Sequence, residues 1–169
     1  MNAVTRVLGV DTSLRSTGFG IVEARGTRMV AIEYGTIRNA ASLLHSECLS
    51  NIQEELLDRI ARNSPVAAAI EGIFHCKNVK TAVALGQARG VVMVVCASRR
   101  LPVYEYAPRR VKQAVVGHGG AHKQQVAAMV SKILNLAETP QEDAADALAL
   151  ALCHLHNHSL YKDLHPKMI

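Results

Sequence analysis

A chain of 169 residues, nearly half of them apolar (49%), can bury one ordinary α/β core, which excludes wholesale disorder and gives no reason for a second domain. Lys and Arg outnumber Asp and Glu by 19 to 14, and the formal charge of +5 leans toward an acidic polymer such as nucleic acid. The N-terminus carries no long apolar run or small-residue cleavage pattern, and the longest apolar stretch, residues 91–97, is too short to cross a bilayer. The expected compartment is therefore the cytoplasm, with no membrane partner. Cys48, Cys76, Cys96 and Cys153 form no CxxC pair and read as free thiols.

Val7, Leu8, Gly9 and Val10 form a short apolar run ending at Asp11, as a buried strand would. Ser16, Thr17 and Gly18 predict a turn, residues 19–23 a return strand, and residues 29–37 a third strand after Gly26. Three strands joined by tight turns imply an antiparallel meander. Leu49, Ile52, Leu56 and Ile60 then recur at helical spacing, and Asn63, Ser64 and Pro65 stop that helix. Residues 66–70 are a further apolar run, ending at Glu71. A helix is predicted over residues 79–98, with Gly86 and Gly90 allowing close packing, and a short strand over residues 103–106. Pro108 opens the next helix and residues 117–120 break it; helical patterns resume over 124–136 and from 141 to about 156. The predicted fold class is α/β, a mixed five-stranded sheet (antiparallel meander, then parallel strands) flanked by helices. Residues 1–158 are expected to form this single domain, and residues 159–169 a flexible tail.

Asp11 and Glu71 stand at the carboxyl ends of predicted core strands, while Asp143 and Asp146 share a helical face. Hard cations such as Mg²⁺ prefer oxygen ligands, and phosphodiester cleavage by two ions ~4 Å apart needs such a cluster of carboxylates. Taken singly, such acids are more often turn-formers, caps or first-turn residues complementing a helix dipole. The stretch DAADALALA, however, is almost wholly apolar apart from its two acids, as a buried helix would be. Acids on a buried face must be paired or metal-bound.

These residues resemble the RuvC family of bacterial Holliday-junction resolvases. The resemblance runs through LGVD at Asp11, STGFG at 16–20, AIEGIF at 69–74, KNVKTAVALGQARGV at 77–91, VYEYAPRRVKQAVVGHGGAHKQQV at 103–126 and PQEDAADALALA at 140–151. It covers most of the chain, in order. It implies a ribonuclease-H-like fold, a homodimer, and dependence on Mg²⁺ (with Mn²⁺ able to substitute), two ions per site. Asp11, Glu71, Asp143 and Asp146 match the family's four catalytic acids and metal ligands. The implied activity is paired symmetrical nicking of a four-way DNA junction in recombination and repair, beside a RuvAB-type branch-migration complex. Two positions depart from the family pattern. Thr12, Ser13 and Leu14 stand where a Pro-Gly pair commonly follows the first Asp, and Phe19 replaces a Tyr.

Phe74, three residues past Glu71, matches a family aromatic that stacks on a base of the opened junction; its alternative role is to anchor a loop. Lys112 and Lys123 match basic residues near the scissile phosphate, with Lys123 counted among the catalytic residues. Arg109, Arg110 and His118 add positive charge around the GHGG break, forming a phosphate-binding surface that Lys77 and Lys80 extend. The CHLHNH run at 153–158 has no second ligand pair spaced for structural zinc and reads as a His-rich helix end. Two other readings stay open. The DTSLRSTG loop resembles phosphate loops of actin-like ATPases, which need a second such domain, and a junction-binding protein that no longer cuts would not need all four acids.

Overall fold

Three strands follow one another through short turns: β1 (Val4–Asp11), β2 (Ser16–Arg25) and β3 (Arg28–Arg38). β2 pairs antiparallel with both neighbours, and its register with β1 runs from Val4↔Arg25 to Asp11↔Gly18. After helix α1 (His45–Asn63) the chain returns as β4 (Ala67–Glu71), parallel to β1; after α2 (Val79–Ser98) it returns as β5 (Val103–Tyr106), parallel to β4. Helices α3 (Pro108–Val116), α4 (Lys123–Leu134) and α5 (Glu142–Leu160) follow, before a last short strand. This computed structural model describes residues 4–72, 78–160 and 167–169, without the side chains of 158–160.

The local signals act as elementary stereochemistry requires. Ser64 ends α1 in the left-handed conformation (φ 48°), and Pro108 stands in the first turn of α3, which Gly117 closes at φ 90°. Among the described residues the sheet has six strands rather than the expected five, in the order β3-β2-β1-β4-β5-β6. The sixth, β6 (Lys167–Met168), pairs antiparallel with β5 through Glu105↔Lys167 and Tyr104↔Met168. Two residues are too few to carry an alternating pattern, so this edge strand left no mark in the sequence.

Strand alternation divides the core into two layers. Leu8, Val10, Phe19, Ile21 and Ile70 point toward α1 and α2. Val7, Val22, Ala69 and Tyr106 point toward α3, α4 and α5. Phe19, 3% exposed, is core as expected, with the Arg59 guanidinium 4.0 Å above its ring.

By length and composition alone, α2 is long and apolar enough to cross a membrane, although its longest unbroken apolar run is short. The cause is that it is apolar on two sides: Ala88, Val92, Val95 and Cys96 are buried, while Val79, Val83 and Val94 are exposed.

Candidate active site

Period-two alternation sets the first two acids. Val7, Gly9 and Asp11 share one face of β1, and Ala69 and Glu71 share the same face of β4, so both carboxylates reach the carboxyl end of the sheet on the side of α5. α5 lies unusually close to that face because glycines line its path. A Cβ at Gly9 would come within 1.9 Å of the Ala147 carbonyl oxygen, and one at Gly18 within 2.0 Å of the Asp143 carbonyl oxygen. Gly18 is also the register partner of Asp11. The close approach thus carries Asp143 and Asp146, one turn apart, to the strand that holds Asp11.

Asp11, Glu71 and Asp146 line one open cleft of ≈270 Å³ together with Lys112 and Lys123. Asp143 sits beside it and accepts a hydrogen bond from the Ser16 hydroxyl at the start of β2. The Lys123 ammonium donates to Asp146 Oδ2 at 3.2 Å and to Glu142 Oε1 at 2.5 Å. A larger cavity of ≈420 Å³ opens at the other end of the sheet, between Thr5, Met29, Pro102 and Tyr104, but among the described residues no carboxylate lines it.

Crowding of like charge marks the first cleft electrically. Burial, then repulsion from Asp146, Glu71 and Asp143, pushes the Asp11 carboxyl up from 3.8 to about 7. Glu71 and Asp146 are raised too, chiefly by desolvation; Lys123 opposes both shifts. Lys123 itself is held above the ordinary lysine range, first by its bond to Glu142 and then by Asp146, against a desolvation effect that lowers it. Among the described residues no three acids or imidazoles are already drawn together around one point. Ser16 holds Asp143 and Lys123 holds Asp146, so a bound cation would compete with those contacts. The donors are all carboxylate oxygens and their charge is under-compensated, which suits a hard divalent cation.

The other predicted residues are distributed unevenly. Lys112 reaches the cleft; Arg109 and His118 are exposed on α3 and the loop after it, and Lys80 is exposed at the start of α2. Arg110 is instead turned toward α5, where its Nη2 donates to Asn157 Oδ1 at 2.8 Å. Phe74 and Lys77 lie outside the described residues, as does Cys76. Cys48, Cys96 and Cys153 are buried and free. Within the His-rich run, His154 is buried against the Tyr106 hydroxyl (2.7 Å from Nδ1) and His156 Nδ1 lies 3.0 Å from the Ala114 carbonyl oxygen. The sequence reading missed Ser16 and Glu142. A Ser in a turn and an acid in a first helical turn carry no signal until the fold brings them to Asp143 and Lys123.

Comparison with known proteins places this geometry. The family model described as "Crossover junction endodeoxyribonuclease RuvC" matches residues 7–154. A protein of that name from Syntrophomonas wolfei is 46% identical over 156 residues, spanning 92% of this chain and 91% of its own length. Another, from Caldicellulosiruptor saccharolyticus, is 43% identical over 162 residues, spanning 94% and 98%. Among solved structures, T. thermophilus RuvC in complex with Holliday junction substrate superposes with a TM-score of 0.91 at 32% identity, covering 98% of this chain and 99% of that one.

Proposed function

The chain belongs to the RuvC family of crossover junction endodeoxyribonucleases, and from that premise we propose that Asp11, Glu71, Asp143 and Asp146 form the centre at which it nicks DNA. It is a structure-selective endonuclease that resolves Holliday junctions. The observation that carries the assignment of the centre is the single cleft in which Asp11, Glu71 and Asp146 meet Lys112 and Lys123. Acids alone would repel the phosphodiester, and bases alone would bind without cutting; the cleft holds both.

Family membership implies divalent-metal dependence, and the all-oxygen donor set favours Mg²⁺, with Mn²⁺ as a substitute. Asp11, Glu71, Asp143 and Asp146 would hold the ions, two per site. Such ions, when bound, activate the attacking water and stabilise the leaving oxygen of an in-line displacement. The protein's own groups do the rest. Ser16 fixes the Asp143 carboxylate by its hydroxyl bond. Lys123 lies against Asp146 and, were that carboxylate to hold a cation, would be available to neutralise charge developing at the reacting phosphate. Lys112 supplies a second cation at the cleft, and the exposed Arg109, His118 and Lys80, with Lys77 by the family resemblance, are assigned to contacts with the phosphate backbone. Phe74 is assigned to stack on a base at the opened crossover. The experiment that tests the reading is cleavage of a synthetic four-way junction with and without Mg²⁺. Binding without cleavage in saturating Mg²⁺ would overturn it.

Paired symmetrical nicks need two sites, hence a homodimer. The outer face of α2 is the surface that fits one. Val79, Val83, Gly86, Gly90 and Val94 follow at steps of three and four along one stripe, and a Cβ at either glycine would meet nothing within 4 Å. An exposed apolar stripe of this size on a core helix is the mark of an interface. Sedimentation of Val83→Glu against the unsubstituted chain tests it: the variant is expected to be monomeric and to lose coordinated nicking. We further assign the protein to the cytoplasm, working beside a RuvAB-type branch-migration complex.

A further inference from the structure

Arg89 is a guanidinium in the wrong layer for a DNA-binding residue. It belongs to α2, on the side of the sheet opposite α5, and is 8% exposed. A buried guanidinium must satisfy its donors and its charge. Its Nη2 forms an ion pair with the Glu105 carboxylate on β5, and its Nη1 donates to the backbone carbonyl of Glu71. The second bond is informative, because Glu71 is the catalytic acid of β4.

The end of β4 needs such a tie. The paired register of β1 and β4 stops at Val10↔Ile70, one residue before Glu71. On the other side the strand is held a little further, by the Gly72 amide donating to the Tyr106 carbonyl at 2.9 Å. Glu71 therefore stands where β4 leaves its β1 neighbour. The direction of its side chain depends on the peptide that Arg89 grips.

We propose that Arg89, oriented by Glu105, is a positioning residue for Glu71: it clamps the end of β4 from the opposite layer so that the Glu71 carboxylate faces Asp11 and Asp146. This rests on the reading of Glu71 as an active-site acid. A guanidinium suits the task because its planar fork can donate to a carbonyl and a carboxylate at once. A lysine ammonium offers no such fixed pair of directions. The clamp also links the α2 helix directly to the cleft.

The test compares Arg89→Met, Arg89→Lys and Glu105→Gln with the unsubstituted protein. Three readouts are taken: amide hydrogen exchange at Gly72, the Mg²⁺ concentration for half-maximal junction cleavage, and junction affinity without metal. Arg89→Met and Arg89→Lys are expected to speed Gly72 exchange and to raise the Mg²⁺ midpoint, each by about tenfold or more, with junction affinity unchanged. Glu105→Gln keeps an acceptor for the guanidinium and is expected to show smaller shifts in the same direction. If Arg89→Met does not fold, Arg89→Lys and Glu105→Gln decide the matter. Unchanged Gly72 exchange and an unchanged Mg²⁺ midpoint in folded variants would reduce Arg89 to an ordinary buried ion pair. Failure of the unsubstituted protein to cleave would instead overturn the reading of the site, and the clamp's catalytic role with it.

Discussion

Replacing Asp11 by Asn is expected to stabilise the metal-free protein at neutral and alkaline pH while ending its activity. The Asp11 carboxyl is raised from 3.8 to about 7, first by burial and then by the three neighbouring acids. At ~1.4 kcal/mol for each pH unit, that rise sets a ceiling of ~4 kcal/mol on the cost of the charged form. The cleft is open and Asp146 and Glu71 share the proton load, so about 2 kcal/mol is the expected gain for Asn. The sign follows from proton linkage. Between about pH 4 and 7 the folded protein keeps a proton that the unfolded chain has released, so stability falls as pH rises through that window. Asn removes the penalty, so its advantage should be near zero below about pH 4 and fullest above about pH 7. Urea unfolding of both proteins in chelator, at about pH 3.5 and about pH 8, measures it. Adding Mg²⁺ should narrow the gap, because only the carboxylate gains from the cation. An Asn variant no more stable than the parent at about pH 8, or a gap that does not close in acid, would refute the charge-crowding account.

Glu71→Gln, Asp143→Asn and Asp146→Asn should each abolish or severely reduce cleavage and leave junction binding largely intact, because ligation needs the charge whereas affinity comes from basic groups. Gel-shift and nicking assays on one substrate check the split, and near-normal cleavage by any variant removes that acid from the centre. Lys123→Ala should slow single-turnover cleavage more than it weakens binding, since the ammonium lies on Asp146 inside the cleft. Equal losses would make it an ordinary phosphate contact. Gly18→Ala forces a methyl to within 2.0 Å of the Asp143 carbonyl oxygen, so α5 must shift. A loss of about 1–3 kcal/mol in stability, with cleavage falling further than the folded fraction explains, is the expected result by thermal melting and nicking.

Much of this site was legible because its acids sit at positions with strong local patterns. Asp11 and Glu71 close apolar strand runs, and period two alone decides that both face α5 once its layer is known. The apolar surround of Asp143 and Asp146 marked α5 as buried, and it is: Ala144, Ala145, Ala147, Leu148 and Ala149 are all 2% exposed or less. What the sequence could not carry were relations between distant segments. Gly9 and Gly18 read as a strand residue and a turn residue, yet their missing side chains are what admit α5. Arg110 read as one base among several, but its neighbour Asn157 comes from a helix 47 positions away. The two-residue β6 had too little length for any periodicity.

The electrostatics of the cleft fit these pieces together. Three partly desolvated carboxylates in one cleft are unfavourable to folding, and a protein selected for stability alone would not gather them. Lys123 relieves part of the strain in the absence of metal by standing against Asp146, with Glu142 holding it there. The relief is incomplete, as the raised Asp11 carboxyl shows. The remaining cost of burial and repulsion would favour a divalent cation at this point over acids elsewhere that already have arginine partners, such as Asp58 and Glu33. It also sets a demand on the surrounding frame. Repelling carboxylates would otherwise move apart, and here they are held by a β1–β4 ladder, by glycine-mediated contact with α5, and by the Arg89 guanidinium on the Glu71 carbonyl. On the proposed assignment, cleavage depends on a destabilised site within a frame that prevents its relaxation.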